Sequence, residues 1–318
     1  MLLNKKLEKK NLTQTSQATN LPRFKIAEKQ NTISSIIHFN GIGLHSGKIV
    51  KMSLKPSDEE TGIVFRLKNK LTNISDINAT YKNVSDTRLC TTLQNNDNVS
   101  VSTTEHLLSA LYASNIDNVI VELDSNEIPI LDGSSKYFLK ALSENGRQEQ
   151  NSFRKFVKIK KMVEVRSNNS LARVLPSKDT TISCEINFSS KIIGKQSISF
   201  PLNPSFYENE ICSARTFGFL DDISNLRKQG LTLGGSLDNA IVISKDKVLN
   251  KDGLRFNDEF VRHKALDFIG DLALSGNKLI GSFLSINGGH SLNFMLVKKI
   301  FSSRHNWGLV DSNQDPIF

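Results

Sequence analysis

The sequence predicts an α+β protein built as two similar halves, each a mostly antiparallel sheet packed on two helices. Three observations lead there. Strand-like stretches with period-two alternation precede a helix that carries a histidine, a strand and a second helix follow it, and this order occurs twice. A polar stretch, residues 146–152, separates the two occurrences. At 318 residues the chain is long enough for two domains that each own a core. The expected division is a disordered polar extension over 1–32, a first domain over 33–146, a linker over 147–152 and a second domain over 153–318.

The elements follow in order. Lys5, Lys6, Lys9, Lys10, Lys25 and Lys29 sit among Asn, Gln, Thr and Ser with almost no apolar periodicity, so disorder is the default for the extension. No apolar run follows these lysines, which excludes a secretory signal, and Glu8 and Glu28 speak against an organelle presequence. Residues 36–39 and 48–55 form a hairpin around the turn at Gly41 and Gly43, with Val50, Met52 and Leu54 on one face. Ile63, Phe65 and Leu67 alternate along a strand over 62–68. Ser102 and Glu105 fit a capping box, so a helix starts near Thr103, with Leu107, Leu108 and Leu111 as its buried stripe. A strand over 118–123 and a helix over 134–144, closed by Gly146, complete the first half. In the second half, strands near 156–165 and 181–188 precede a helix over 258–275, and a strand over 278–286 and a final helix follow.

The helix over 258–275 has two faces. Val261, Ala265, Phe268, Ile269 and Leu272 recur at helical spacing and form the stripe that packs on a core. His263, Asp267 and Asp271 stand at successive i, i+4 steps on the opposite face. An imidazole and a carboxylate one turn apart reach a single metal ion, and the second carboxylate is placed to orient another group. A polar stripe alone reads first as a solvated face. Phe260 and Leu274 lie on the same side, which indicates that the face is covered.

Other segments supply the missing parts. Glu105 and His106 stand together at the start of their helix; the carboxylate either satisfies the helix end or serves chemistry. If His106 joins His263 and Asp267, two histidines and one carboxylate make a catalytic zinc site with an open position. A neighbouring carboxylate is then the natural base. Gly288 and Gly289 turn the chain before His290, either a loop histidine or an imidazolium held charged by a carboxylate such as Asp271. The hydroxyl of Thr216 is a donor for an oxyanion, although such a threonine is more often a turn or strand residue. His45, in the Gly-rich turn, is open between substrate contact, second metal site and plain turn residue.

Composition is compatible with this chemistry without selecting it. Hydrophobic residues make up 38%, and no apolar run approaches the roughly 18 residues of a membrane span. The +9 net charge suits nucleic acid, an acidic surface or a diphosphate substrate equally. Cys90, Cys184 and Cys212 are odd in number and widely spaced, as in a reducing compartment, and form neither a disulfide framework nor a Cys-based metal site.

The motifs, taken as a series, are Gly41-Ile-Gly-Leu-His-Ser-Gly47, Asp86-Thr-Arg-Leu-Cys-Thr-Thr92, Ser102-Thr-Thr-Glu-His-Leu107 and Glu127-Ile-Pro-Ile-Leu-Asp-Gly-Ser134. Ser213-Ala-Arg-Thr-Phe-Gly-Phe219, Gly230-Leu-Thr-Leu-Gly-Gly-Ser236, Leu254-Arg-Phe-Asn-Asp-Glu-Phe-Val-Arg-His-Lys264 and Gly289-His-Ser-Leu-Asn293 follow. From about residue 36 to 297 the chain resembles the bacterial UDP-3-O-acyl-N-acetylglucosamine deacetylases, which catalyse the committed step of lipid A synthesis. The resemblance implies one zinc per chain on His106, His263 and Asp267, with Glu105 as the general base. It implies His290 as the imidazolium that stabilises the oxyanion and protonates the leaving amine, Asp271 as its partner and Thr216 as the oxyanion donor. Lys264 and Phe217 match substrate contacts, and Leu220, Ile223, Leu237, Ala240 and Val242 match an apolar passage for the acyl chain, although on spacing alone these five read as core. Arg88 and Thr92 depart from the family pattern, where an apolar residue and a cysteine are usual.

The resemblance implies an acylated UDP-sugar as partner, a cytoplasmic monomer of the Gram-negative bacterial type, and transient contact with the inner membrane surface. Three rival readings stand beside it. A zinc amidase acting on another acetylated sugar differs only in specificity. A basic nucleic-acid-binding protein leaves the His263 and Asp267 stripe unexplained and lacks aromatics beside the basic clusters, so no nucleic acid is expected. An idle scaffold conflicts with every catalytic position being filled.

Overall fold

The computed structural model describes residues 28–68, 74–245 and 247–317, so most of the expected extension, residues 1–27, lies outside the described residues. The first half comprises β1 (Lys29–Ile33), β2 (Ile37–Ile42), β3 (Ile49–Pro56), β4 (Ile63–Lys68), β5 (Ile74–Asn78), β6 (Val84–Asp86), β7 (Thr92–Gln94) and β8 (Ser100–Val101). Helix α1 (Glu105–Ala113), β9 (Val119–Leu123) and helix α2 (Lys136–Asn145) complete it, and β10 (Arg147–Phe153) leads out. The second half begins with β11 (Phe156–Ile159), β12 (Val163–Ser167), β13 (Ser170–Leu175), β14 (Thr181–Asn187), β15 (Lys195–Pro201) and the single turn α3 (Pro204–Phe206). It continues through β16 (Phe217–Phe219), α4 (Leu220–Lys228), β17 (Ile241–Ser244), β18 (Lys247–Val248), α5 (Glu259–Ala273), β19 (Lys278–Ile280), β20 (Ser282–Ile286), α6 (His290–Phe301) and β21 (Trp307–Val310).

The two main sheets repeat one topology. In the first, the strand order is β2-β3-β9-β4-β5, with β9 antiparallel to β3 and parallel to β4. In the second it is β12-β13-β20-β14-β15, with β20 antiparallel to β13 and parallel to β14. Each central strand is inserted late in its half, after a buried helix, and is followed by a second helix. Alternation explains the faces: Val50, Met52 and Leu54 of β3 are buried while Ile49 and Lys51 are exposed. The predicted α+β duplication is the fold.

The halves meet through α1 and α5. Every residue of α1 is buried, and so are all but two of α5, as befits helices enclosed on all sides rather than lying on a surface. Gly270 sets how closely they approach, because a Cβ at that position would collide with the backbone carbonyl of Glu105.

Three expectations need correction. Residues 147–152 are not a bare linker: they belong to β10, which pairs antiparallel with β1, itself partly inside the expected extension. The pair escaped notice because β10 is polar over residues 147–152 and buries none of its residues, and because Gln30, Asn31 and Thr32 of β1 are buried polar groups. Their burial is compensated by hydrogen bonds, Asn118 donating to Gln30 Oε1 and the Asn31 amide to Asp117. The strands over 156–165 and 278–286 each break into two, so that β11, β19 and β21 form a separate sheet. Finally, the second half carries an additional arm. Helix α4 connects the parallel strands β16 and β17 and buries none of its residues, although Leu220, Ile223 and Leu226 recur along it at helical spacing.

Candidate active site

The first turn of α1 places His106 beside His263 and Asp267 of α5, one potential metal donor from one half and two from the other. Asp267 Oδ1 lies 3.5 Å from His106 Nε2 and 3.3 Å from His263 Nε2. Two ligands about 2.1 Å from a tetrahedral zinc are about 3.4 Å apart, so this spacing fits an ion without rearrangement. The chemistry of each donor agrees. His263 Nδ1 faces the Ala214 carbonyl at 3.1 Å and must carry the proton, which leaves the Nε2 lone pair toward the cluster. Burial lowers the His263 pKa to about 3, keeping the ring neutral. Asp267 Oδ2 accepts from Lys264 Nζ at 2.9 Å, whereas Oδ1 is buried with no hydrogen-bond partner among the described residues. A buried carboxylate oxygen without a hydrogen-bond partner, facing two imidazole nitrogens, fits a donor set for a metal ion. Among the described residues no other such group of donors occurs.

A second cluster adjoins it. Glu105 is buried and follows the N-cap Thr104, which makes no side-chain cap bond. The expected capping box does not form, because Ser102 is drawn into a β-bridge with Glu127 instead. Glu105 Oε2 accepts from the Thr91 amide at 3.0 Å, and Oε1 faces His290 Nε2 at 3.8 Å. His290 Nδ1 is 2.9 Å from Asp271 Oδ2, which also accepts from Asn293 at 2.8 Å. Burial alone would strip the proton from His290, but the carboxylates of Asp271 and Glu105 outweigh it and push the imidazole up to about 10. Burial raises the Glu105 carboxyl above its ordinary range, with His290 and His106 pulling the other way. Glu105 and His290 thus face each other beside the His106, His263 and Asp267 group, in a cavity of about 430 Å³ between the two halves.

The comparisons with known proteins bear on this geometry. The family model described as UDP-3-O-acyl N-acetylglycosamine deacetylase matches residues 30–302. The chain belongs to that family. A UDP-3-O-acyl-N-acetylglucosamine deacetylase from Idiomarina loihiensis is 42% identical over 289 residues, covering 90% of this chain and 94% of the relative. One from Pseudoalteromonas translucida is 42% identical over 281 residues, covering 88% of this chain and 92% of the relative.

Not every expected residue of the deacetylase stands at the cavity. Thr216, Phe217 and Lys264 line it together with the metal group. The Thr216 amide is fixed by the Gly133 carbonyl at 2.8 Å, and Phe217 packs edge-on against Phe260. Leu220, Ile223, Leu237, Ala240 and Val242 are not among the lining residues; they belong to the arm around α4 and β17, where Leu220 and Leu237 are exposed. His45 is buried, its amide donating to Glu127 Oε1 at 2.7 Å, and neither ring nitrogen has a partner among the described residues. The three cysteines are free and buried, and burial pushes the Cys90 thiol up to about 12. Sequence reasoning assigned nothing to Thr91 or Asn293. Both sit inside recognised motifs, yet no spacing rule marks a group whose partner is remote in the chain.

Proposed function

We propose that the chain hydrolyses the N-acetyl group of UDP-3-O-acyl-N-acetylglucosamine, releasing acetate and UDP-3-O-acyl-glucosamine, with a zinc ion held by His106, His263 and Asp267. The observation that carries this reading is the approach of His290 Nε2 to Glu105 Oε1 at 3.8 Å, beside three convergent side chains that could hold a metal ion, in a chain of the deacetylase family. When bound, zinc supplies Lewis acidity that sharpens water as a nucleophile and stabilises developing negative charge.

The residues do the rest. Glu105 Oε1, which makes no hydrogen bond among the described residues, takes a proton from water as the water oxygen bonds to the acetyl carbon. The Thr216 hydroxyl and His290 stabilise the oxyanion, one such donor contributing about 3–4 kcal/mol. His290 then gives its Nε2 proton to the amine as the C–N bond breaks, while Asp271 holds the ring in orientation. Lys264 and Phe217 contact the substrate at the cavity rim. The acyl chain runs along the arm of β16, α4 and β17, which begins at the cavity-lining Phe217 and leaves apolar side chains uncovered. Each buried methylene contributes about 0.8 kcal/mol, so a chain of ten or so carbons dominates recognition. The protein works as a cytoplasmic monomer, in keeping with its free thiols, and meets its acylated substrate at the inner membrane surface. No helix among the described residues is long and apolar enough to cross a membrane.

The test is acetate release from acylated and unacylated UDP-sugars, with and without a chelator. The acylated substrate is expected to turn over faster, and Ala240→Phe to impair long-chain substrates while metal content persists. Equal rates on both sugars would end the lipid A assignment and leave a general sugar amidase.

A further inference from the structure

Thr91, in the loop between β6 and β7, spends all three of its polar groups on the site. It is 1% exposed. Its amide donates to Glu105 Oε2 at 3.0 Å, and its hydroxyl donates to Asp271 Oδ1 at 2.6 Å. Its carbonyl accepts from the Thr104 hydroxyl at 3.2 Å, immediately before Glu105. Glu105 belongs to the first half and Asp271 to the second, so one residue ties the base of one half to the carboxylate that orients the acid of the other.

We propose that Thr91 is a positioning residue that fixes the base Glu105 and the acid His290 relative to each other through these two bonds. The inference rests on the roles given above to Glu105 and His290. Its logic is stereochemical. Asp271 Oδ2 already holds His290 Nδ1 and Asn293, so the hydroxyl on Oδ1 is what stops the carboxylate plane from turning. The amide fixes Oε2 of Glu105 and thereby leaves Oε1 as the oxygen that faces His290 Nε2. Neither bond reaches a metal donor, so the clip serves proton transfer and not ion binding.

The experiment compares Thr91→Val, which keeps the shape and the amide but removes the hydroxyl, with Thr91→Ser, which keeps the hydroxyl. Metal content, kcat and KM are measured on the zinc-loaded full chain with the acylated UDP-sugar. The expected result is a roughly tenfold or larger fall in kcat for Val, the size for a lost charge-assisted hydrogen bond, with KM within about twofold and metal retained. Ser recovers most of the loss. In an Asp271→Asn background the Val substitution has little further effect, since the hydroxyl acts through that carboxylate. Thr91→Ala replaces Val in every arm if Val does not fold. Wild-type kcat in the hydroxyl-free variant overturns the inference alone, and so does a Ser variant as impaired as Val with metal lost. An inactive wild type overturns the functional reading beneath it.

Discussion

Glu105 and His290 are a buried pair 3.8 Å apart whose members need opposite charge states in the proposed mechanism. Glu105→Gln preserves size and the bond to the Thr91 amide, so metal content is expected to stay at one equivalent while turnover falls about 10²-fold or more. Since Gln also accepts from the Thr91 amide, a nearly unchanged rate would reduce Glu105 to a structural role. The pH dependence follows from His290. Its pKa is raised from 6.5 to about 10, so the charged form survives well above neutrality and the alkaline limb of kcat/KM is expected near the raised value. The sign for stability is the same: the contribution is complete below about pH 6.5 and is lost as pH rises through about 10. Thermal unfolding of wild type and His290→Gln across that window measures it, and the gap between them should close with rising pH. At this scale the sequence was readable where a helix imposed a period, as at His263, Asp267 and Asp271. Thr91 was invisible because its hydroxyl finds its partner 180 residues away.

The contact of α1 with α5 turns on one missing side chain. Gly270 lies in mid-helix, where glycine normally costs about 1 kcal/mol against alanine. Here the backbone of Glu105 occupies the space a methyl would need. Gly270→Ala is therefore expected to destabilise by about 1–3 kcal/mol in denaturant titrations, against the gain that propensity alone forecasts. It should also depress activity, because the carbonyl that is pushed belongs to the base. A stabilised, fully active variant would contradict the close crossing. The elements rich in periodic apolar residues were legible: β3 buries one face by alternation, and α1 and α5 fall where apolar residues recur at helical spacing, although both helices are enclosed on nearly every side. Elements without such a face were not. β10 and α4 bury little, and the arm's apolar residues looked like core while two of them stand in solvent.

The duplication was legible in whole-molecule order, strands then helix then strand then helix, because both halves obey one topology. The tie between them was not. Besides α1 and α5, the halves are joined by β1 with β10 and by Arg154, which is buried and bonded to Asp117 at 2.7 Å and Glu28 at 2.7 Å. Residues 28–146 and 147–317 expressed as separate chains are expected to bind no stoichiometric zinc singly, since His106 resides in one and His263 with Asp267 in the other. Metal analysis of each fragment, and of the mixed pair, checks this; a fragment that holds zinc alone would break the shared-ligand arrangement. That sharing has a thermodynamic result. An ion that binds only the docked arrangement works as a fastener, adding RT ln(1 + [L]/Kd) to the unfolding free energy, about 2.7 kcal/mol at a hundredfold excess over Kd. Metal supply would then govern how much of the chain survives proteolysis as well as how fast it turns over. A chelator should lower the melting temperature of the intact protein before any substrate is present.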